Sequence, residues 1–347
     1  MAAGTHDRLV ATAEALAPDL AVNAAQVERH GVQRATLDRL ATGGLYGILG
    51  PGWAGGSDAP GAVYRRVAEL LAGADGNTWL VWFQHHPVVR MLAASANSEL
   101  AGHWLPDLCA GRAQAGVAFS HLRNPAPTVA ARAEGDGWRM SGLQPWCTGW
   151  GLIEVVLVGA VTGDDQVLFA LVPAAEGQGM RPTTELDLAA MAGTRTVALE
   201  LDGLAVTPAE VVAMAPRAEW VAADAMRAAN VQPSAVGIAL AALDALRSHA
   251  PEPAALLGSE LADLRARAYT LADQPPTADD LTERLSLSAR LLLLGVEITS
   301  TLVASIGGTA MTTSHPAQRW ARETMFHLVF AQTSGLRAAE LAAVTGT

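Results

Sequence analysis

From about Leu9 to Ala115, apolar residues recur every three or four positions, the spacing of helices that bury one face. Val63 to Ala72 and Trp79 to His86 are clear cases, and Pro87 is expected to interrupt the second. Gly- and Pro-rich breaks separate these helices, notably Gly50-Pro51-Gly52-Trp53-Ala54-Gly55-Gly56. Between about Gly116 and Pro208 the pattern shortens into strands. Thr128 to Arg132 leads through Glu134-Gly135-Asp136-Gly137 into Trp138-Arg139-Met140-Ser141, a hairpin signature. Runs beginning at Glu154, Val167 and Thr196 read as further strands, with Gly163-Asp164-Asp165 as the turn between the first two. From about Ala209 the helical period returns, predicting helices near 235–247, 255–273, 277–305 and 316–343. Prolines 251, 253, 275, 276 and 316 fall between these helices or in their first turns. The expected architecture is mostly α with a central β-domain. It comprises a helical domain over 1–115, a small barrel or sandwich over 116–208, and a four-helix bundle over 209–347.

Composition narrows the partners. Half of the 347 residues are hydrophobic and 16% are charged, so the chain can bury a substantial core. The net charge of −11, without a basic run, argues against nucleic acid and anionic membrane surfaces. Cys109 and Cys147 are the only cysteines, far apart and outside any metal-ligand spacing, which suits a reducing, cytoplasmic setting. The first residues lack an apolar signal core, and the stretch Leu291 to Ile306 is too short to span a bilayer.

Taken one by one, the motifs offer little chemistry. Gly50 to Gly55 satisfies G-x-G-x-x-G literally, but without a strand before it or a helix opening inside it the segment reads as a loop. His85-His86 has no carboxylate or cysteine partner at ligand spacing, so no metal is expected.

Five segments in register carry a resemblance. Leu40 to Gly56, His103 to Gly111, Gly137 to Gly149, Met191 to Val206, and Gly307-Gly308 followed by Arg319-Trp320-Ala321-Arg322-Glu323 together resemble acyl-CoA dehydrogenases. That resemblance implies the family's fold: N-terminal helices, a β-domain and a C-terminal bundle. It also implies FAD. Carried over by position, Phe119 and Ser120 lie along the flavin, Trp146 packs on the isoalloxazine, and Thr148 lies near its O4 and N5 edge. Gly307 and Gly308 let the backbone approach the pyrophosphate–adenosine portion, Arg247 reaches a neighbouring subunit's diphosphate, and Thr333 closes over the cofactor. FMN, or reduced flavin supplied by a reductase, is the variant of the same expectation. Homodimers or homotetramers through the bundle are implied as well.

The sequence departs from the family where chemistry is done. The family's base is a glutamate in an Ile-Tyr-Glu-Gly-Thr-Ser loop, and the matching stretch here is Val329-Phe330-Ala331-Gln332-Thr333-Ser334. A methyl group accepts no proton. The family's Thr-Glu-Pro-x-x-Gly-Ser-Asp loop reads Ser120-His121-Leu122-Arg123-Asn124-Pro125-Ala126-Pro127, and its usual glutamine before the glycine pair is Ala304. Two residues are candidates to replace the base. Asp224 lies one turn before the position where some relatives carry their glutamate, and His121 sits beside a flavin contact. Glu323 is expected in an ion pair.

Three functions follow. The first is an FAD-dependent oxidation of an acyl thioester, on CoA or a carrier, with a relocated base and an electron acceptor. The second is a reduced-flavin-dependent monooxygenase of the two-component group that resembles this family, served by a separate reductase and working in a dry pocket. The third is a degenerate subunit completing the cofactor site of an active homologue.

Overall fold

The computed structural model describes residues 2–177 and 179–346. Five helices come first: α1 (Ala2–His30), α2 (Arg34–Thr42), α3 (Gly61–Ala74), α4 (Gly76–Ala93) and α5 (Ser98–Cys109). Strands follow: β1 (Ala115–Ala118), β2 (Val129–Glu134), β3 (Gly137–Cys147), β4 (Val155–Thr162), β5 (Gln166–Pro173), β6 (Met180–Pro182), β7 (Val197–Val206) and β8 (Val211–Pro216). The chain ends in α6 (Arg217–Ala228), α7 (Pro233–His249), α8 (Pro251–Ala272), α9 (Leu281–Ile306), α10 (Pro316–His327) and α11 (Ser334–Thr345).

The strands form one mixed sheet in the order β6-β7-β3-β2-β4-β5-β8, with β1 parallel to β4. The expected hairpin is β2–β3, closed by Gly135-Asp136 with Glu134 opposite Gly137. Alternation along β4 sends Val155 and Leu157 to a core shared with α4 and α5, and Val156, Val158 and Ala160 to a second core. That second core also takes Leu199, Leu201 and Val206 of β7, so the sheet folds over to enclose its own apolar interior.

Three expectations are corrected. Pro87 does not end its helix, because α4 runs through it to Ala93. An interior proline costs about 3 kcal/mol, but Val88, Val89 and Leu92 beyond it are wholly buried and offset that cost. Helical structure resumes only at Arg217, since Val211–Pro216 forms a strand on β5. The predicted helix 316–343 is two helices, parted by a turn in which Ala331 has φ +55°.

Helices α3 and α7 cross where glycines allow their backbones to touch. A Cβ on Gly237 would stand 2.2 Å from the Glu69 carbonyl oxygen, and one on Gly73 would stand 2.7 Å from that of Gly237. Ion pairs tie other bundle helices to the N-terminal ones. Arg265 of α8 binds Glu69 of α3 through two hydrogen bonds of 2.6 and 2.9 Å, and Arg322 of α10 binds Glu28 of α1 at 2.6 and 2.8 Å. By length and composition α9 could cross a membrane. Here its apolar face, with Leu287, Leu291, Leu294, Ile298 and Leu302, is core of the bundle. The glycine-rich 50–56 segment is a loop around a short helical turn at Gly52–Ala54.

Candidate functional site

Helix α4 runs between the β-domain and the C-terminal bundle. Its N-terminus is capped by Asp75, whose carboxylate accepts from the N–H groups of Asn77 and Thr78. Asn77 then accepts from Gly193 N–H at 2.8 Å, tying the helix to the turn before β7. On the β-domain side, Gly149 closes against Val81. On the bundle side, Trp79 meets His327 and Phe330, with ring centroids 5.5 and 5.8 Å away. The turn Trp146–Gly149 and the turn 328–333 therefore approach the same helix from two sides.

Several β-domain residues suit a flavin. The Ser120 hydroxyl is buried and has no hydrogen-bond partner among the described residues. Trp146 is half-exposed, unlike the core indoles Trp79 and Trp82. In the bundle, Gly307 has φ +79° and ψ −153°, a conformation that glycine alone adopts readily. A Cβ on Gly307 or Gly308 would meet no atom within 4 Å, so this backbone lies open to a ligand's approach. Thr333 caps α11, accepting from Leu336 N–H at 3.3 Å. Arg247 is an exposed residue at the end of α7, 3.0 Å from Asp244. A free hydroxyl, a half-exposed aromatic ring and open glycine backbone are groups of the kind that hold a flavin, and they stand on three separate elements: the turn after β1, the end of β3 and the loop after α9.

Two of the expected contacts have other work. The Phe119 ring packs edge-on against Phe169 and Trp220, at 5.4 and 6.4 Å, as part of the core between the sheet and α6. The Thr148 hydroxyl belongs to a chain that ends at the Met191 carbonyl. Thr194 donates to that carbonyl at 2.7 Å, Thr196 to Thr194 at 2.7 Å, and so Thr148 to Thr196 at 3.0 Å. Its proton is committed, and only oxygen lone pairs remain for a ligand.

Both substitutes for the base are also occupied. Asp224 is buried and grips Arg123 through two hydrogen bonds of 2.7 and 3.1 Å, with Arg227 3.5 Å away. A carboxylate engaged at both oxygens by a guanidinium is a brace between α6 and the Ser120–Arg123 turn. His121 is buried with both ring nitrogens bonded. Nδ1 accepts from Thr128 N–H at 3.0 Å, so Nε2 carries the proton and donates to the Gly159 carbonyl at 3.0 Å. Burial holds its pKa below the usual imidazole range. It fastens a loop.

Glu323 forms the expected ion pair with Arg319, wholly buried, at 3.0 Å. Desolvation raises its pKa to about 7 despite the guanidinium, and the Asp75 carboxylate nearby adds to the rise. His85 accepts from Ala115 N–H at 3.2 Å, and burial pushes its pKa down to about 3, which fits a neutral core residue. The pattern-based reading missed His327. It bonds Ser234 at 2.8 Å and the Glu323 carbonyl at 2.8 Å, and only its i+4 spacing from Glu323 was visible beforehand.

Residues 5–112 match the family model described as acyl-CoA dehydrogenase, N-terminal domain. "Probable acyl-CoA dehydrogenase fadE25" of Mycobacterium leprae is 24% identical, over 96% of this chain and 93% of that protein. Among solved structures, acyl-CoA dehydrogenase from Geobacillus kaustophilus superposes with a TM-score of 0.85 at 14% identity, covering 98% of each chain. The dibenzothiophene monooxygenase TdsC of Paenibacillus sp. A11-2, in its complex with FMN and indole, gives 0.80 at 19% identity and again 98% of each. Dehydrogenases and a monooxygenase thus share this fold along nearly its whole length.

Proposed function

We propose that this chain, a divergent member of the acyl-CoA dehydrogenase superfamily, is a flavin-dependent oxidoreductase of the monooxygenase kind. One observation carries the reading. The turn that should present a carboxylate presents Ala331, and both candidate replacements, Asp224 and His121, are locked into structural hydrogen bonds. A reaction that begins by removing an acidic α-proton has no acceptor among these residues.

Ser120 and Trp146 would hold the flavin ring, by one hydrogen bond and by packing, and Gly307 and Gly308 would admit its phosphate-bearing arm. Bound there, reduced flavin would supply two electrons and activate dioxygen, with one oxygen atom entering the substrate and the other leaving as water. The apolar walls from α4 and α10 exclude water from the chemistry. FAD and FMN both suit this cradle. A separate reductase is the implied partner. Exposed Met325 on α10 and Val329 in the turn after it, with Leu341 and Val344 on α11, suit a homodimer or homotetramer assembled through the bundle. The proposed location is the cytoplasm.

Full-length similarity to the mycobacterial protein favours a second reading, oxidation of an acyl thioester. Spectra of the purified protein separate the two. With FAD bound and oxygen absent, butyryl-CoA should leave the flavin absorbance intact, whereas bleaching would establish thioester oxidation. Reduced FMN or FAD should bind and, on admission of air, support oxygenation of an aromatic substrate. Failure to take up either flavin in either redox state would defeat both readings and favour a subunit that completes a homologue.

A further inference from the structure

Helix α10 closes on the corner between α3 and α4. Helix α3 ends at Ala74 and α4 begins at Gly76, so Asp75 alone turns the chain. Three side chains of α10 reach that corner. Trp320 Nε1 donates to the Gly73 carbonyl at 3.2 Å, and Arg319 Nη2 donates to the Ala74 carbonyl at 3.2 Å. Glu323 lies against the first residue of α4, where a Cβ on Gly76 would stand 2.7 Å from its Oε1. A cation thus meets the carbonyl end of α3 and a carboxyl meets the N–H end of α4, the favourable sense for both helix dipoles.

The charges in this contact do not balance. Arg319, Glu323 and Asp75 are at most 3% exposed, so two carboxyls share one guanidinium in the core. A surplus buried charge is costly, and one bound proton removes it. Asp75 accepts from the Asn77 and Thr78 N–H groups at 3.1 and 3.3 Å and from the Thr78 hydroxyl at 2.5 Å, donors that favour its charged form. Glu323 Oε1 accepts from Arg319 Nη1 at 3.0 Å, while Oε2 has no partner among the described residues. Oε2 is therefore the place for the proton. Burial raises both carboxyls above their ordinary range, and two acids this coupled titrate as a pair. The other charge bearing on Glu323 is Glu28 of α1, which Arg322 holds. His327, one turn on, is kept neutral by burial, its pKa pushed down to about 4, and links the Glu323 carbonyl to Ser234 of α7. From α9 comes Thr299, bonded to Thr324 at 3.1 Å.

We propose that Arg319, Glu323 and Asp75 form a proton-dependent latch, in which one proton held by the two carboxyls keeps α10 closed on the α3–α4 corner. Loss of that proton to solvent leaves the surplus charge buried and loosens α10 from the start of α4. The Trp146–Gly149 and 328–333 turns both approach α4, so the latch governs how firmly the two halves of the candidate site are held together. It stands on this chain's own charges and is independent of the flavin reading.

Hydrogen exchange of the full chain tests the latch, read as protection of residues 76–83 and 316–327 after correction for the intrinsic rate at each pH. Protection should fall about tenfold between about pH 6 and about pH 8, the change expected when a carboxyl held at about 7 regains its ordinary value on opening. Glu323→Gln keeps the shape and removes the titrating proton, and should make protection flat across that range. Asp75→Asn keeps a good N-cap and removes the surplus charge, so the fall should move below about pH 6. A residue that merely capped α4 would lower protection without moving its midpoint. Equal protection at the two pH values, a fall that survives Glu323→Gln, or an unmoved midpoint in Asp75→Asn would overturn the proposal. Either variant decides alone should circular dichroism show the other misfolded.

Discussion

The two turns that converge on α4 differ in what they retain. The β-domain turn, Trp146 to Gly149, keeps a half-exposed aromatic ring, and on the same domain the Ser120 hydroxyl has no partner among the described residues. The bundle turn, 328 to 333, keeps its architecture: Thr333 still caps α11, and Gln332 still bonds the Leu328 carbonyl and Glu340 at 2.7 and 2.6 Å. Where the acyl-CoA dehydrogenases that the sequence resembles carry their proton-accepting glutamate, it has Ala331. Scaffold and reactive group are therefore separable, because capping and packing at that turn rest on residues 328, 330, 332 and 333. A carboxylate can leave without disturbing the fold that presented it.

The largest expected effect tests the scaffold behind the bundle turn. Arg319→Met would strand Glu323 buried without its cation, and should lower stability by about 3–5 kcal/mol in urea unfolding. A loss below about 1 kcal/mol would mean that the turn is anchored elsewhere. The same carboxyl sets a pH dependence. Its pKa is about 7 folded against an ordinary 4.5, so the unfolded chain gives up this proton first. The stabilisation it contributes is full below about pH 4.5, declines as pH rises through about 7, and is flat beyond. Glu323→Gln should flatten the profile across that window, and an unchanged slope there would assign the titration to another group.

The β-domain turn is probed next. Trp146→Ala should raise the flavin dissociation constant about tenfold, the worth of one packed ring, while the circular dichroism spectrum stays the same. Unaltered flavin affinity would move the cofactor away from this turn. Asp224→Asn loosens the Arg123 brace by ~1–3 kcal/mol, with little expected effect on turnover. Turnover per folded molecule should stay within about twofold. Abolished turnover in a well-folded variant would restore Asp224 as a base and overturn the contrast between the turns. Arg247→Ala should change stability by less than about 0.5 kcal/mol, as an exposed pair permits. Flavin affinity that falls in the oligomer alone would show the arginine serving a neighbouring subunit.

Much of this was legible in the residues. Helical and strand periods and the Gly135-Asp136 hairpin depend on neighbours within a few positions, and local spacing reveals them, while an ion pair at Glu323 was implied by the resemblance. Pro87 misled because a local rule was outweighed by burial that only the packed core supplies. Strand β8 was missed because its pairing with β5 spans more than forty residues.

The functional residues divide along the same line. The sequence by itself determined that no carboxylate stands at 331, since that depends only on which residue is there. It also determined the order of helices, strands and bundle, because amphipathic period is a property of consecutive residues. Only the tertiary structure decided that Asp224 is held by Arg123, that His121 is bonded at both nitrogens, and that Trp79 packs on His327, which bonds Ser234. Those partners lie about a hundred residues or more apart along most of these contacts. A side chain's availability for chemistry is set by what folding brings against it, which no local spacing encodes.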